Sequence, residues 1–347
     1  MARVHYLEDR IPWFGKFNGY EQLTRYVPPT TVQHVFAALP GVLPRLLGKW
    51  HSLRHGLGTA PQAQVDALRR FAGALARHRS AVGHVLYGEH FLPYLKSMSA
   101  EGLARTTVTF HQPFGHWSSD ALTELARVRH AIFMFTPPPN TFDAHLCQRP
   151  TMILHGVDTG FFTPTEGLVC ARVLYSGVHL RNLGMLERVV ERLLRRNPAI
   201  AVDMLVPLAH RHKDVFTRLA RHERLVWHAD LDEIQLRDLY HRSAVMLLPM
   251  QDSGANTAVI EALACGLPVV TTDVGGIRDY GGGTVVSVVP NDDDEAMAGA
   301  VEHLIDDPVH HRAVAQASRR FAEDHLAWGK VVPQHLAVYL TLGEGGS

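Results

Sequence analysis

The chain has 347 residues, more than one ordinary core holds, which predicts two domains. Its 34 basic residues balance 34 acidic ones, so a formal charge of zero excludes a global field that would recruit nucleic acid. The 3 cysteines (Cys147, Cys170 and Cys265) stand far apart with no CxxC pair, which excludes a disulfide framework and a cysteine zinc site.

Short apolar runs of β type recur along the chain, separated by helical patterns. In the first half they are ARVHYL (2–7), VGHVLYG (82–88), TTVTFH (106–111), AIFMFT (131–136) and TMILHG (151–156). In the second half they are ARVLYSG (171–177), AVDMLV (201–206), RLVWHA (224–229), AVMLLP (244–249) and PVVTTD (268–273). Continuous rather than alternating apolar runs, each followed by a helix, predict parallel strands buried on both faces. DTGFFTPTEG (158–167) breaks the rhythm and is read as the linker. The expected organisation is an α/β chain of two doubly wound domains, 1–160 and 161–320, with a final helix over 321–347 packing back on the first. The opening MARVHYLEDR carries no apolar signal core, and no run of about 18 apolar residues occurs anywhere, so a cytoplasmic protein is expected. Of 23 histidines, the pairs His210 with His212 and His310 with His311 lack carboxylate or cysteine partners, so no metal site is expected.

LPGVLPRLLGKWHSLRHGLG (39–58) places Leu43, Leu46, Leu47, Trp50 and Leu53 at helical spacing, with Arg45, Lys49 and Arg54 between them. Such a helix either packs its apolar face on the first sheet or lies on a membrane surface.

QDSGANTAVIEALACGLPVVTTDVGGIRDY (251–280) reads as a polar loop, a helix starting near Asn256 or Thr257, a stop at Gly266 with Pro268 beyond, a strand and a double-glycine turn. The start of that helix leaves backbone N–H groups unpaired and carries a partial positive charge, which suits an anion. Glu261 lies about 7 Å along the axis at ~1.5 Å per residue and leans back toward the start. Its carboxylate matches the two donors of a vicinal diol. A salt bridge to a neighbouring Arg, or plain hydration, would satisfy it equally.

IEALACGLPVVTTDVGG (260–276) closely resembles the nucleotide-binding helix of the group-1 family of retaining glycosyltransferases. LHGVDTGFFTP (154–164), ARVLYSGVHLRNLGML (171–186), LRDLYHRSAVMLLP (236–249), TFHQP (109–113) and NGYEQL (18–23) carry further parts of the resemblance, strongest over 236–280. It implies a GT-B fold, two Rossmann-like domains facing across a cleft, and transfer of a sugar from a nucleotide-diphosphate sugar, UDP or GDP, with no other cofactor. It implies that Glu261 binds the ribose hydroxyls. Gly254, Ala255, Asn256 and Thr257 would face the sugar and diphosphate through main-chain N–H groups, His111 would meet the donor sugar, and Gly19 and Gly177 would approach the phosphates. Members usually carry two Glu residues seven apart; here the first position is Ser253, with Asp252 or Asn256 as stand-ins. Members often carry an Arg and a Lys in the loop after the first second-domain strand; here Val178 follows Gly177, and Arg181 is the cation assigned to the diphosphate. His116, Asp120 and Glu89 are weaker cleft candidates, and Arg278 could either approach the donor or be an exposed loop residue.

The reading is therefore a retaining glycosyltransferase acting on a saccharide, natural-product or lipid-linked acceptor, without nucleic acid and without metal. Members acting on lipid-linked acceptors dock on membranes with a face like that of 39–58. An epimerase on the same fold and a member that binds nucleotide without turnover are the rivals. The absence of GxGxxG after the first strand of either half disfavours a dinucleotide oxidoreductase.

Overall fold

The computed structural model describes residues 3–9, 11, 15–58, 60–117, 123–137, 149–165 and 171–344. The chain forms two compact units. Unit 1 comprises Met1–Phe14, Gly19–Leu154 and Gly329–Ser347, and unit 2 comprises Gly15–Asn18 and His155–Trp328.

Unit 1 holds β1 (Arg3–Leu7), β2 (Val32–Phe36), β3 (Ala81–Val85), β4 (Thr106–Phe110), β5 (His130–Phe133) and β6 (Arg149–Met152) in one sheet of order β2-β1-β3-β4-β5-β6. All neighbouring pairs are parallel. Every residue of β3 and β4 is buried, which is what continuous apolar runs covered on both faces require. Unit 2 repeats the plan with β7 (Arg172–Ser176), β8 (Ala201–Leu205), β9 (Leu225–His228), β10 (Val245–Leu248), β11 (Val269–Thr272) and β12 (Ser287–Val289), in the parallel order β12-β11-β10-β7-β8-β9. The ten apolar runs of the sequence all fall on strands. The two strands without such a run, β2 and β12, lie at sheet edges, where β2 is half exposed and β12 is only 3 residues long.

In each unit the chain steps first to one side of its opening strand and then to the other. This places a topological switch between β7 and β10, and another between β1 and β3. Ligands of open parallel sheets bind at the carboxyl ends of strands at such a switch.

The helices longer than two turns are α1 (Val42–His55), α2 (Gln62–Arg77), α3 (Leu183–Arg196), α4 (Glu233–His241), α5 (Thr257–Ala264), α6 (Asp294–Asp306), α7 (Pro308–Phe321) and α8 (Trp328–Glu344). Among the described residues, no helix is long and apolar enough to cross a membrane.

In unit 1, α8 brings His335 Nε2 to 2.5 Å from the Tyr20 hydroxyl and the Tyr339 hydroxyl to 2.7 Å from His84 Nδ1. The described part of the segment read as a linker, residues 158–165, belongs to unit 2 and is tied into it. Val157 N donates to Leu326 O at 2.8 Å, Phe162 is fully buried, and Arg319 donates to the carbonyls of Phe162 and Thr159.

One expectation fails. The apolar face of α1 does not pack on the sheet. Its buried residues are Gly48, His51 and Ser52, turned toward α2, where a Cβ on Gly48 would stand 1.8 Å from the Gln62 carbonyl oxygen. Close approach of the two backbones fixes this rotation and leaves the apolar arc outside.

Candidate functional site

The loop leaving β7 turns at Gly177, whose φ of +83° favours glycine. A Cβ there would lie 3.3 Å from Arg181 Nη2, so the glycine also makes room for that guanidinium. Arg181 donates from Nε to Ser176 O at 3.0 Å and from Nη1 to His179 O at 3.1 Å. Its backbone is zipped to the chain leaving β10: Gln251 N donates to Leu180 O and Asn182 N to Pro249 O, both at 2.9 Å. Asn182 then caps α3 by accepting from Met185 N at 3.0 Å. Among the described residues, no carboxylate lies within ion-pair distance of Arg181. Burial pulls its pKa below the ordinary value, with the rings of Tyr175 and Tyr240 close by. A desolvated cation without a counter-ion is costly, and an anionic ligand would relieve that cost.

The chain from Met250 to Thr257 runs from β10 into α5. Asn256 occupies the N-cap position, as its place in the sequence suggests, yet its side chain makes no cap. Its Nδ2 donates instead to Met250 Sδ at 3.1 Å. The first backbone bonds of α5 run from Val259 N and Ile260 N to Asn256 O. Among the described residues, the N–H groups of Gly254, Ala255, Asn256, Thr257 and Ala258 have no acceptor. Ala255, Asn256 and Thr257 are partly open to solvent. Five consecutive donors at a helix start make an anion cradle. The cradle is held from behind by the double-glycine turn. Gly276 N donates to Ser253 O at 2.7 Å, and Gly275, at φ +52°, lies where a Cβ would stand 2.2 Å from that same oxygen. Asp252 Oδ1 accepts from Ser253 N at 2.8 Å, and Ser253 is buried with its Oγ donating to Gly254 O at 3.1 Å.

Glu261 sits on α5 behind this cradle and is 5% exposed. Its Oε2 accepts from the Tyr240 hydroxyl of α4 at 2.7 Å. Of the two alternatives to a ligand, the salt bridge is absent, since among the described residues no cation pairs with Glu261, and burial turns the carboxyl away from bulk solvent. Burial raises its pKa to about 8, the Tyr240 bond opposes that rise, and the charge of Glu233 adds to it. Glu233 is itself engaged, accepting from Phe17 N in the short Gly15–Asn18 segment, where the Phe17 ring stacks on Phe161 at 4.0 Å.

In unit 1 the corresponding edge is already filled. His111, just beyond β4, has its backbone N–H bonded to Glu89 Oε1, which also accepts from Gln112 N at 2.6 Å. Its Nδ1 lies 3.5 Å from Glu89 Oε2, and its ring stacks on Tyr87 at 4.8 Å. Burial pushes the Glu89 carboxyl up, but the bonds from His111 and the backbone outweigh it and hold it below the ordinary value. Gly19, at φ +89°, precedes a 3-residue 3-10 turn (Tyr20–Gln22) and a single α-turn rather than a full helix start. The next donor, Tyr20 N, points to the Tyr87 hydroxyl at 3.3 Å, and that hydroxyl donates to Glu21 Oε2. Burial, opposed by the Tyr87 bond, raises the Glu21 carboxyl.

Unit 2 thus brings together Gly177, Arg181, Asp252, Gly254, Ala255, Asn256, Thr257 and Glu261 around the carboxyl ends of β7 and β10. Arg278 does not join them as a free cation, since it is exposed and paired with Asp273, Nε to Oδ1 at 2.9 Å. His116 is exposed on a short turn, and Asp120 lies outside the described residues. Sequence reasoning missed Tyr240 and Gly275 as parts of the site and held Glu89 as a weaker cleft candidate rather than the anchor of the His111 loop. The double glycine was the signal for Gly275. Nothing in the sequence pairs Tyr240 with a carboxylate 21 residues away.

Residues 170–307 match the family described as Glycosyl transferases group 1. A glycogen synthase of Mycobacterium tuberculosis is 29% identical over 216 residues, 56% of this chain and 49% of the relative, so the chain spans about half the length of that protein. A GDP-mannose-dependent alpha-(1-6)-phosphatidylinositol monomannoside mannosyltransferase of Mycolicibacterium smegmatis is 27% identical over 361 residues, covering 94% of this chain and 88% of its own. Among solved structures, the sucrose-phosphate synthase of Thermosynechococcus elongatus superposes with a TM-score of 0.70 at 14% identity, over 99% of this chain and 100% of that one. Anabaena HepE in complex with UDP and glucose does so with a TM-score of 0.70 at 12% identity, over 98% and 100%. These likenesses show the fold, which is GT-B.

Proposed function

From the match of residues 170–307 to the group-1 glycosyltransferases, we propose that this chain moves a sugar from a nucleotide-diphosphate sugar, UDP or GDP, to an acceptor with retention at the anomeric carbon. The observation that carries the reading is, among the described residues, the run of five acceptorless N–H groups, Gly254 to Ala258, beside an Arg181 guanidinium without a carboxylate partner. Departure of a diphosphate demands stabilisation of the charge that develops on it, and fixed donors in a partly dry site supply that without reorganisation. In this reading Arg181 and the cradle hold the diphosphate, with Gly177 admitting its close approach. Glu261 accepts from the ribose hydroxyls; the carboxyl, neutral at pH 7 while bonded only to Tyr240, ionises as the two ligand donors arrive.

In unit 1, His111 is the proposed contact of a sugar hydroxyl and Gly19 of the phosphate. Asp252 is the proposed stand-in for the missing first Glu. The acceptor proton passes to the leaving diphosphate oxygen on the same face of the sugar, so the reading invokes neither a metal nor a strong base. The relative from M. smegmatis is named for GDP-mannose and a phosphatidylinositol mannoside, and HepE was solved with UDP. Both support a nucleotide-sugar donor, and the first supports a lipid-linked acceptor over a free saccharide or natural product. The same reading places the protein in the cytoplasm.

Ser253 favours one second reading, a member that binds nucleotide without turnover, because its hydroxyl is spent on Gly254 O and offers no carboxylate. A thermal-shift panel of UDP, GDP, ADP, dTDP and their sugars tests the first claim. One base is expected to raise the melting temperature by several degrees, and no rise for any of them overturns nucleotide binding. Slow hydrolysis of the matching donor without acceptor separates an enzyme from an inert binder.

A further inference from the structure

We infer that Arg3, His5, His34, Arg77 and His78 form a second anion site, in unit 1, that takes a phosphate group. The inference goes beyond the nucleotide reading and does not depend on it. Alternation along β1 puts Arg3, His5 and Leu7 on one face of the sheet, and the register sets His5 beside His34 of β2 on that face. There α2 brings Phe71 to the ring of Phe36, at 6.0 Å, and ends in the cap residue His78. The His5 ring then lies 5.1 Å from that of His34, 5.7 Å from that of His78 and 5.7 Å from that of Phe36. Arg3 opens β1 and His78 precedes β3, so the cluster lies toward the amino ends of these strands, whereas His111 follows the carboxyl end of β4. His5 is 1% exposed, and neither Nδ1 nor Nε2 has a hydrogen-bond partner among the described residues. A buried imidazole with both nitrogens idle is costly, and an anion that accepts from its N–H removes that cost.

The charges around His5 select the ligand. Those that act on it are His34, His78, Arg3 and Arg77, with no carboxylate among them. Burial first, and these cations after it, push the His5 pKa down to about 4. Three histidines would suit a metal ion, but two guanidinium groups repel one, and among the described residues no group of His, Cys, Asp or Glu is placed to hold a metal. Arg3 Nη1 donates to His78 Nδ1 at 2.6 Å, so that ring keeps its own proton on Nε2. The carbonyl end of α2 would repel an anion, yet Arg105 already answers it, donating to Leu75 O at 3.1 Å and to Ala81 O just beyond at 2.6 Å. Phosphate fits this set, because its several oxygens accept from guanidinium forks and imidazole N–H groups together. His34, exposed on the edge strand, covers His5 with its ring, and rotation of that one side chain opens the way in.

Nuclear magnetic resonance of the full chain, isotope-labelled in its histidine rings, tests this by titration with inorganic phosphate and with glycerol 3-phosphate, chloride holding the ionic strength constant. The His5 resonance, assigned by its loss in His5→Gln, should shift and saturate. Saturation by either probe supports the site, and the tighter of the two shows whether the free ion or a monoester is its source. Arg3→Gln should weaken the affinity about 10-fold, the loss of one charge-assisted hydrogen bond. His34→Gln, on an exposed edge position that the fold tolerates, should weaken it as well. Arg181→Ala should leave the His5 titration unchanged, so this site and the N–H cradle of unit 2 fail independently. Three outcomes overturn the inference: no shift of His5, a shift that chloride alone reproduces, or undiminished affinity in both Arg3→Gln and His34→Gln. So does a shift that zinc produces at a lower concentration than phosphate, which would make the cluster a cation site.

Discussion

After β10, the chain of unit 2 runs into five N–H groups that no acceptor among the described residues meets; after β4, the chain of unit 1 gives its first two, those of His111 and Gln112, to the single carboxylate Glu89. Both edges end parallel strands near a topological switch, so topology alone offers a ligand site in each. Side chains then separate them. In unit 2 the residue at the cap position turns away to a sulfur, and the nearby guanidinium has no carboxylate among the described residues. In unit 1, Glu89, Glu21 and Tyr87 already supply the acceptors. The difference teaches that a helix start or strand end becomes an anion site only where the protein withholds its own acceptors.

The largest effect expected from breaking this contrast is on Arg181. Arg181→Ala should weaken binding of the preferred nucleoside diphosphate by about 100-fold, the size of one or two charge-assisted bonds to phosphate. The monophosphate should lose much less, and calorimetric titration of both reads the split. Equal affinity in variant and parent would remove Arg181 from the diphosphate. On the unit 1 side, Glu89→Ala should leave nucleotide affinity alone and cost about 2 kcal/mol of stability, because two part-buried donors lose their acceptor. Denaturant unfolding measures it. The sign with pH follows from a carboxyl held below its ordinary 4.5: its contribution is full above that value and is lost as pH falls through the folded one. The deficit of the variant should therefore shrink in acid. A constant deficit would mean that Glu89 acts by packing.

Strands covered on both faces were legible because burial leaves only apolar residues to choose from, as in β3 and β10. The edges β2 and β12 were not, since VQHVF must suit solvent on one side and SVV is too short to show a pattern. The extent of α5 was legible from Asn256 and Gly266, which takes φ +66° just past the helix. The use made of Asn256 was not, because capping and turning to Met250 Sδ begin from the same residue type. Periodicity marked the apolar face of α1 correctly but not its direction. That was set by a tertiary contact, Gly48 against the backbone of Gln62, which no local pattern encodes. Glu261 was noticed because a carboxylate interrupts an apolar helix, whereas the Tyr240 hydroxyl beneath it looked like any buried ring.

The smallest effect, and the most discriminating, concerns that carboxyl. In the folded protein Glu261 holds its proton up to about 8, against 4.5 for the ordinary group. Between those values the folded state binds more protons than the unfolded one, so this residue makes stability fall as pH rises through the window. Glu261→Gln preserves the shape of the neutral acid and removes the titration. The variant should match the parent near pH 4 and exceed it at pH 8. Nucleotide binding should move the opposite way. An amide oxygen accepts less strongly than a carboxylate, so affinity for the ribonucleotide should drop about tenfold, while a 2′,3′-dideoxy analogue should lose little. Binding by the parent at pH 7 should release a proton, visible in buffers of different ionisation heat, and binding by the variant should not. Higher stability at pH 8 with unchanged affinity and no proton release from the parent would make Glu261 an acid kept for Tyr240 alone. The cradle of N–H groups would then have to bind its ligand without a ribose contact from α5.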